Sequence, residues 1–141
     1  MIQSTKPQSL TYGLNDSPAG LAAWIMSFVC IGTTGEEVEK RLSRAELLTN
    51  IMIYWVTQTI GSSVRRYYVD AHTAPHPWQR TAVPAAVAHC PQDAPLPREW
   101  AERRVNLKHF TEFPRGGHFM AWEEPELYAQ DLQDFLSQLY K

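Results

Sequence analysis

The sequence has few cysteines, only a small excess of acidic over basic residues, and no long apolar run. Its two cysteines, Cys30 and Cys90, lie far apart and lack Cys-x-x-Cys spacing. This argues against a disulfide scaffold or a structural zinc site and predicts buried, unpaired thiols. The formal net charge is −2, with Lys and Arg scattered along the chain. We therefore expect no nucleic-acid partner, because such proteins carry a concentrated basic surface.

No stretch has the composition of a targeting peptide or a membrane span. The longest apolar run, from Ala22 to Ile31, contains Ser27 and is well short of the roughly 20 residues that cross a bilayer. Residues 1–7 lack the apolar core of a secretion signal. These features predict a cytoplasmic protein. A membrane anchor or secretion signal would have to lie in a segment upstream of Met1.

The first half of the chain reads as helical after an irregular start. Residues 1–15 are polar and contain Pro7 and Gly13, so they are predicted to be irregular. A helix should begin near Ser17-Pro18, because Leu21, Trp24, Ile25 and Phe28 follow at helical spacing. Ser43 and Glu46 have the spacing of a capping box. The apolar residues behind that box suggest a buried helix.

The second half alternates between strand and helix. Residues 81–90 are apolar and valine- and alanine-rich, as in a fully buried strand, and a helix follows Pro97. Leu107 to Phe113 alternates like a strand, and Glu124-Pro125 opens a last helix whose polar side includes Asp131. This order predicts a parallel, helix-covered sheet. Two strands cannot bury both faces and both edges, so they should be the end of a larger sheet.

His118 follows the second strand in Arg115-Gly116-Gly117-His118-Phe119. Glycines permit a sharp turn that leaves His118 at the carboxyl end of the strand, where open α/β sheets place their chemistry. A histidine there can act as a base near neutral pH. The spacing alone is equally compatible with an ordinary loop histidine.

Asp93 occupies the matching position after the first strand. The carboxyl ends of consecutive parallel strands lie close together, so Asp93 can orient the His118 imidazole while the other ring nitrogen takes a proton from water. The alternative is that Asp93 only caps its own loop. A nucleophile is missing from this pair, since no Gly-x-Ser-x-Gly or similar elbow occurs in the sequence.

Several stretches together resemble the C-terminal part of the epoxide hydrolases of the α/β-hydrolase superfamily, the branch that includes the microsomal enzymes. The resemblance covers residues 5–141 and rests on Thr5-Lys6-Pro7, Leu14-Asn15-Asp16-Ser17-Pro18-Ala19-Gly20-Leu21-Ala22-Ala23-Trp24, Leu47-Leu48-Thr49-Asn50, Tyr54-Trp55, Thr59-Ile60-Gly61-Ser62-Ser63, Arg115-Gly116-Gly117-His118-Phe119 and Glu123-Glu124-Pro125-Glu126-Leu127. It implies an α/β fold: the last two parallel strands and helices of an α/β-hydrolase core (residues 76–141), preceded by part of a helical lid (residues 1–75).

The same resemblance assigns roles to three residues. His118 resembles the catalytic base, Asp93 the acid that orients it, and Tyr67 a lid tyrosine that protonates the opening epoxide; its neighbour Tyr68 is placed almost equally well. In the family, an aspartate nucleophile first forms an ester, which the His-Asp pair then hydrolyses to a diol, without a metal or organic cofactor. The nucleophile and a second lid tyrosine belong upstream of Met1 in the family.

These expectations lead to a specific functional prediction. The 141 residues alone should not turn over an epoxide, because the first covalent step has no nucleophile. An epoxide substrate, a separate N-terminal half or a second copy joined through the exposed sheet edge are the expected partners. Two other interpretations stay open: part of another α/β-hydrolase, such as an esterase or dehalogenase, or a non-catalytic module that pairs its strand with a partner chain.

Overall fold

The structure is a computed structural model that describes residues 1–33, 38–74 and 79–140. After a short 3₁₀ turn at Ile2–Ser4, the described residues of the first half form the helices α1 (Pro7–Asp16), α2 (Pro18–Gly32), α3 (Val38–Arg41), α4 (Arg44–Thr57) and α5 (Ile60–His72). The second half contains β1 (Pro84–His89), α6 (Arg98–Arg104), β2 (Asn106–Glu112), α7 (Met120–Glu123) and α8 (Pro125–Leu139).

The chain divides into two compact units. The helical unit comprises Met1–Ile31 and Leu42–His76, and the strand-containing unit comprises Gly32–Arg41 and Pro77–Lys141. The strand-containing unit therefore includes α3 as well as the second half of the chain. The interpretation of residues 1–75 as lid and 76–141 as core remains a prediction.

The helical unit has its own apolar core. Its buried members are Leu14, Leu21, Ile51, Ile60 and Val64. Leu14 belongs to α1, so the prediction that residues 1–15 are irregular is wrong. Pro7 stands in the first turn of α1, where its missing N–H costs nothing, and burial of Leu14 stabilises a segment whose local sequence is a weak helix former.

Gly61 allows α1 and α5 to approach closely. Gly61, Ser62 and Ser63 belong to the first turn of α5. A Cβ atom at Gly61 would lie 2.7 Å from Cγ2 of Thr11 on α1, well inside van der Waals contact. The glycine is therefore explained by helix packing and not by a break in the chain.

The predicted helix starts are confirmed by their hydrogen bonds. Ser17 Oγ accepts the N–H of Gly20 at 3.0 Å at the start of α2. At the start of α4, Ser43 and Glu46 form a reciprocal capping box. The apolar stripe of α4 is only partly buried, however: Leu47 and Ile51 are buried, whereas Leu48 and Met52 are exposed. The prediction that this whole stripe is buried is wrong.

The strand-containing unit is built on one parallel strand pair. β1 and β2 pair in parallel from Pro84↔Asn106 to His89↔Glu112, as the strand-helix alternation predicted. The side chains of β1 are half-buried or exposed, so the expectation of a fully buried strand is wrong. Cys90, Phe113 and Met120 form a buried cluster just beyond the carboxyl ends of the two strands.

Asp131 on α8 faces the sheet. The sequence predicts it on the polar, outward side of the helix, but its Oδ1 lies 2.7 Å from Nε2 of His109 on β2, so that prediction is wrong. Thr111 also donates its hydroxyl to Oδ1 of Asp131, and Gln138 Nε2 lies 3.1 Å from Nδ1 of His109. The side chains of His109 and Asp131 are only 15% and 12% exposed. A polar pair therefore joins α8 to the sheet where apolar contact was expected.

The two cysteines have different surroundings. Both are unpaired, as predicted, but Cys30 is exposed and only Cys90 is buried. Successive residues on a helix point about 100° apart, so Val29 can be buried while the next residue of α2, Cys30, faces outward. Burial raises the pKa of the Cys90 thiol, and the nearby charges of Asp93 and Glu123 raise it further.

Within the described ranges, we find no helix that combines the length and the apolar character required to cross a bilayer.

We predict that Asp131→Ala lowers the free energy of unfolding by about 1 to 3 kcal/mol, because His109 Nε2 and the Thr111 hydroxyl lose their shared acceptor, and their mutual contact at 2.9 Å can satisfy only one of the two donors. Urea denaturation followed by circular dichroism measures the change. Asp134→Ala is the matched control, since Asp134 accepts only an exposed hydrogen bond from Gln130 on the same helix. Equal destabilisation by the two substitutions would contradict the role given to Asp131.

We predict that iodoacetamide at pH 8 modifies Cys30 in the folded chain and spares Cys90, because the reactive thiolate is disfavoured at Cys90. In a Cys30→Ser variant, intact mass should show no adduct until denaturant is added. Since the folded pKa lies above the unfolded one, Cys90 contributes stability that is fully present below the ordinary thiol pKa of about 8.5 and is lost as pH rises through the folded pKa. Rapid labelling of the folded Cys30→Ser variant would refute this.

Candidate active site

The parallel pairing of β1 and β2 brings two polar loops to one edge of the sheet. The last residues of the two strands, His89 and Glu112, are in register, and the N–H of Phe113 donates to the His89 carbonyl at 2.9 Å. The loop after β1 carries Asp93 and the loop after β2 carries His118. Their proximity follows from strand direction alone, as the sequence predicted.

The loop after β1 holds the Asp93 carboxylate in a defined orientation. The backbone N–H of Asp93 donates to the Cys90 carbonyl at 3.2 Å, which closes a tight turn. Oδ1 of Asp93 accepts the N–H of Ala94 at 2.8 Å. The carboxylate therefore caps its own loop with one oxygen, while Oδ2 is directed to a second partner.

That second partner is the imidazole of His118. Nδ1 of His118 lies 3.2 Å from Oδ2 of Asp93, which is a hydrogen bond when the ring carries its proton on Nδ1. The remaining ring nitrogen, Nε2, then has a free lone pair. The two side chains are 63% and 44% exposed, so water reaches the pair. Chemically, this arrangement can remove a proton from water and stabilise the resulting imidazolium.

Two glycines allow the backbone near His118 to take its path. Gly116 has a φ of 107°, in the left-handed region that disfavours side chains, and a Cβ there would collide with Sδ of Met120. Gly32 approaches the loop from α2, and a Cβ on Gly32 would lie 2.7 Å from the ring of Phe119. The Phe119 ring meets the His118 imidazole edge to face, with centroids 5.2 Å apart.

Acidic residues from α7 and its end surround the base of this loop. The side chain of Glu123 is buried and accepts the backbone N–H groups of Gly117 and Phe119. Glu124 forms ion pairs with Arg41 at 3.1 Å and with Arg115 at 2.9 Å. From the sequence, Glu123 enters only through the resemblance and Glu124 through the resemblance and the predicted helix start, so these contacts were missed. The available signal was an acidic pair that begins six residues after a Gly-Gly turn.

Tyr67 and Tyr68 lie on α5 in the helical unit. Tyr67 is 45% exposed and Tyr68 is 39% exposed. The Tyr68 ring stacks on His72 with centroids 4.0 Å apart, whereas the exposed Tyr67 side chain leaves α5 at a different angle. The two tyrosines therefore have different surroundings. Their roles remain predictions.

No group of three or more His, Cys, Asp or Glu side chains that could hold a metal ion occurs in the described part of the chain.

Comparison with known proteins identifies close relatives. No protein-family model matches the chain. The chain is 40% identical to epoxide hydrolase 1 of Sus scrofa over 98% of its own length and 33% of that protein. It is 37% identical to a putative epoxide hydrolase of Stigmatella aurantiaca over 99% of its length and 32% of the relative. The chain thus spans about one third of the curated relatives it matches.

Solved structures give the same result. Juvenile hormone epoxide hydrolase from the silkworm Bombyx mori superimposes with a TM-score of 0.89 at 30% identity, covering 97% of this chain and 35% of the silkworm protein. The epoxide hydrolase of Aspergillus niger superimposes with a TM-score of 0.83 at 28% identity, covering 99% of this chain and 35% of that protein. By sequence and by structure, the chain corresponds to the C-terminal portion of the epoxide hydrolases of the α/β-hydrolase fold.

Proposed function

We propose that this chain supplies the water-activating part of an epoxide hydrolase, with His118 as general base and Asp93 as the acid that orients it. The observation that carries the proposal is the hydrogen bond between His118 Nδ1 and Asp93 Oδ2 at the shared edge of two parallel strands. The relatives named as epoxide hydrolases support the choice of substrate class over esters or haloalkanes.

The proposed reaction adds water to an epoxide in two steps. An aspartate outside these 141 residues attacks one epoxide carbon, the carbon–oxygen bond breaks, and an ester forms. Nε2 of His118 then takes a proton from water, the hydroxide attacks the ester carbonyl, and the diol leaves as the aspartate carboxylate is restored. The proton on the imidazolium finally returns to the tyrosine hydroxyl that protonated the epoxide oxygen, so the protein ends in its starting state. Asp93 stabilises the imidazolium that exists between these events. The sum is epoxide plus water giving diol, with no metal or organic cofactor.

Tyr67 is the residue we assign to protonate the epoxide oxygen as the ring opens. Its side chain is exposed on α5, while the ring of Tyr68 is stacked on His72 in the same helix. A phenol that donates its proton to substrate must be able to turn its hydroxyl toward it, and the stacking on His72 restricts the Tyr68 ring, which favours Tyr67. In this proposal residues 1–75 contribute part of a helical lid, and residues 76–141 contribute the last strands and helices of the catalytic core.

The 141 residues alone are proposed to be inactive. Their sequence contains no nucleophile elbow, so the ester that His118 would hydrolyse does not form. Catalysis then requires an N-terminal portion, supplied in the same chain, as a separate half, or by another copy that pairs with the exposed sheet edge. A cytoplasmic location is part of the same proposal.

We predict that a chimera separates the two chemical steps. In the chimera, residues 1–141 replace the matching C-terminal portion of the silkworm juvenile hormone epoxide hydrolase. The substrate in the assay is the juvenile hormone epoxide for which that enzyme is named. The unsubstituted chimera should form diol. His118→Gln should accumulate a covalent ester, seen as a mass increase of one substrate molecule, with diol formation lowered at least about 10³-fold. The isolated 141 residues should form no diol from styrene oxide.

Two controls accompany the chimera. Asp93→Asn should also slow ester hydrolysis, because an amide cannot hold the imidazole in the same way. His72→Gln is the matched histidine control and should leave diol formation unchanged, since His72 lies on α5 and contacts Tyr68. Diol formation by the His118→Gln chimera at the unsubstituted rate, or by the isolated chain in a His118-dependent way, would contradict the proposal.

A further inference from the structure

Glu123 is a buried acid directly behind the His118 loop. Its side chain is 0% exposed and lies at the end of α7. A carboxylate loses its hydration on burial, and this cost must be offset by hydrogen bonds and by opposite charge. The groups that compensate Glu123 therefore indicate what the residue is placed to hold.

Among those groups are backbone amides on either side of His118. Oε1 of Glu123 accepts the N–H of Gly117 at 3.2 Å and the N–H of Phe119 at 3.2 Å. Arg41 supplies the positive charge, with its Nη1 4.0 Å from the other oxygen, Oε2. One carboxylate oxygen thus bridges two alternate residues of the loop.

The intervening amide has its own acceptor. The N–H of His118 donates to the carbonyl of Gly32 at 2.8 Å. Three consecutive amides, at residues 117 to 119, are therefore each held by a defined acceptor: Oε1 of Glu123 holds two of them, and the carbonyl of Gly32 holds the third. Holding the backbone on both sides of His118 fixes the direction of its Cα–Cβ bond, although its side chain is largely exposed.

We propose that Glu123 is a positioning residue for His118. It holds the loop so that Nδ1 of the imidazole meets Asp93 and Nε2 points to the water that the base activates. The inference rests on the proposed function of His118. Glu123 itself touches neither water nor substrate, because its carboxylate is turned inward to the loop backbone.

The first test measures the loop in the 141-residue chain and needs no activity. In the unsubstituted chain, hydrogen exchange resolved by NMR should show protected amides at Gly117 and Phe119, and Glu123→Leu should speed their exchange about tenfold or more. Glu123→Gln keeps an oxygen acceptor and should preserve most of the protection. Glu126→Ala, an exposed acid in the next turn, is the matched control. Unprotected amides in the unsubstituted chain would overturn the inference even if Glu123→Leu failed to fold.

The second test uses the silkworm chimera and follows ester formation and ester hydrolysis separately. Glu123→Leu should slow ester hydrolysis about 10- to 100-fold while ester formation stays within about threefold, because a small displacement of the base affects only the second step. Glu123→Gln should restore most of the hydrolysis rate. If Glu123→Leu slows ester formation and ester hydrolysis equally, the role of Glu123 is merely structural. If Glu123→Leu and Glu123→Gln slow ester hydrolysis equally, the charge of Glu123 matters and its acceptor oxygen does not. Either result overturns the inference.

The two proposals fail in different ways. If His118→Gln leaves ester hydrolysis intact, the proposed function is wrong whatever Glu123 does. If His118→Gln blocks hydrolysis but folded Glu123→Leu hydrolyses the ester at the unsubstituted rate, only the positioning role is wrong.

Discussion

The parallel pairing of β1 with β2 is the constraint on which the candidate site depends. Parallel strands end at the same edge, so the loops that follow them meet without any special feature of the loops themselves. The Asp93–His118 contact is a product of this pairing and of the turn that Gly116 permits. A change that shifted the register of β2 would separate the acid from the base even if both side chains were kept.

Hydrogen bonds outside the apolar clusters hold α7 and α8 in place against their neighbours. The buried cluster at Cys90, Phe113 and Met120 is small, and the side chains of β1 are only half-covered or exposed. Asp131 ties α8 to β2, and Glu123 ties α7 to the loop after β2. A partly buried hydrogen bond is costly to leave unmade, so each of these acids specifies one arrangement of its neighbours more sharply than apolar contact would.

Local signals in the sequence were sufficient for some features and not for others. The capping box at Ser43, strand β2 and the loop around His118 could be predicted, because each depends on residues close together in the chain. Helix α1, the close approach at Gly61 and the inward direction of Asp131 could not, because each depends on a distant partner. The contacts of Glu123 with the loop were missed although they lie within six residues of it, because they form only once the turn at Gly116 has folded the loop back onto α7.

The most direct test of the candidate site is the tautomer of His118, read from the nitrogen chemical shifts of its ring in the ¹⁵N-labelled chain at a pH where the imidazole is neutral. A base oriented by Asp93 must carry its proton on Nδ1 and leave Nε2 unprotonated, and Asp93→Ala should abolish this preference. An unsubstituted chain in which Nε2 carries the proton, or in which the two tautomers are populated as in free histidine, would contradict the assignment of His118 and Asp93 as the water-activating pair.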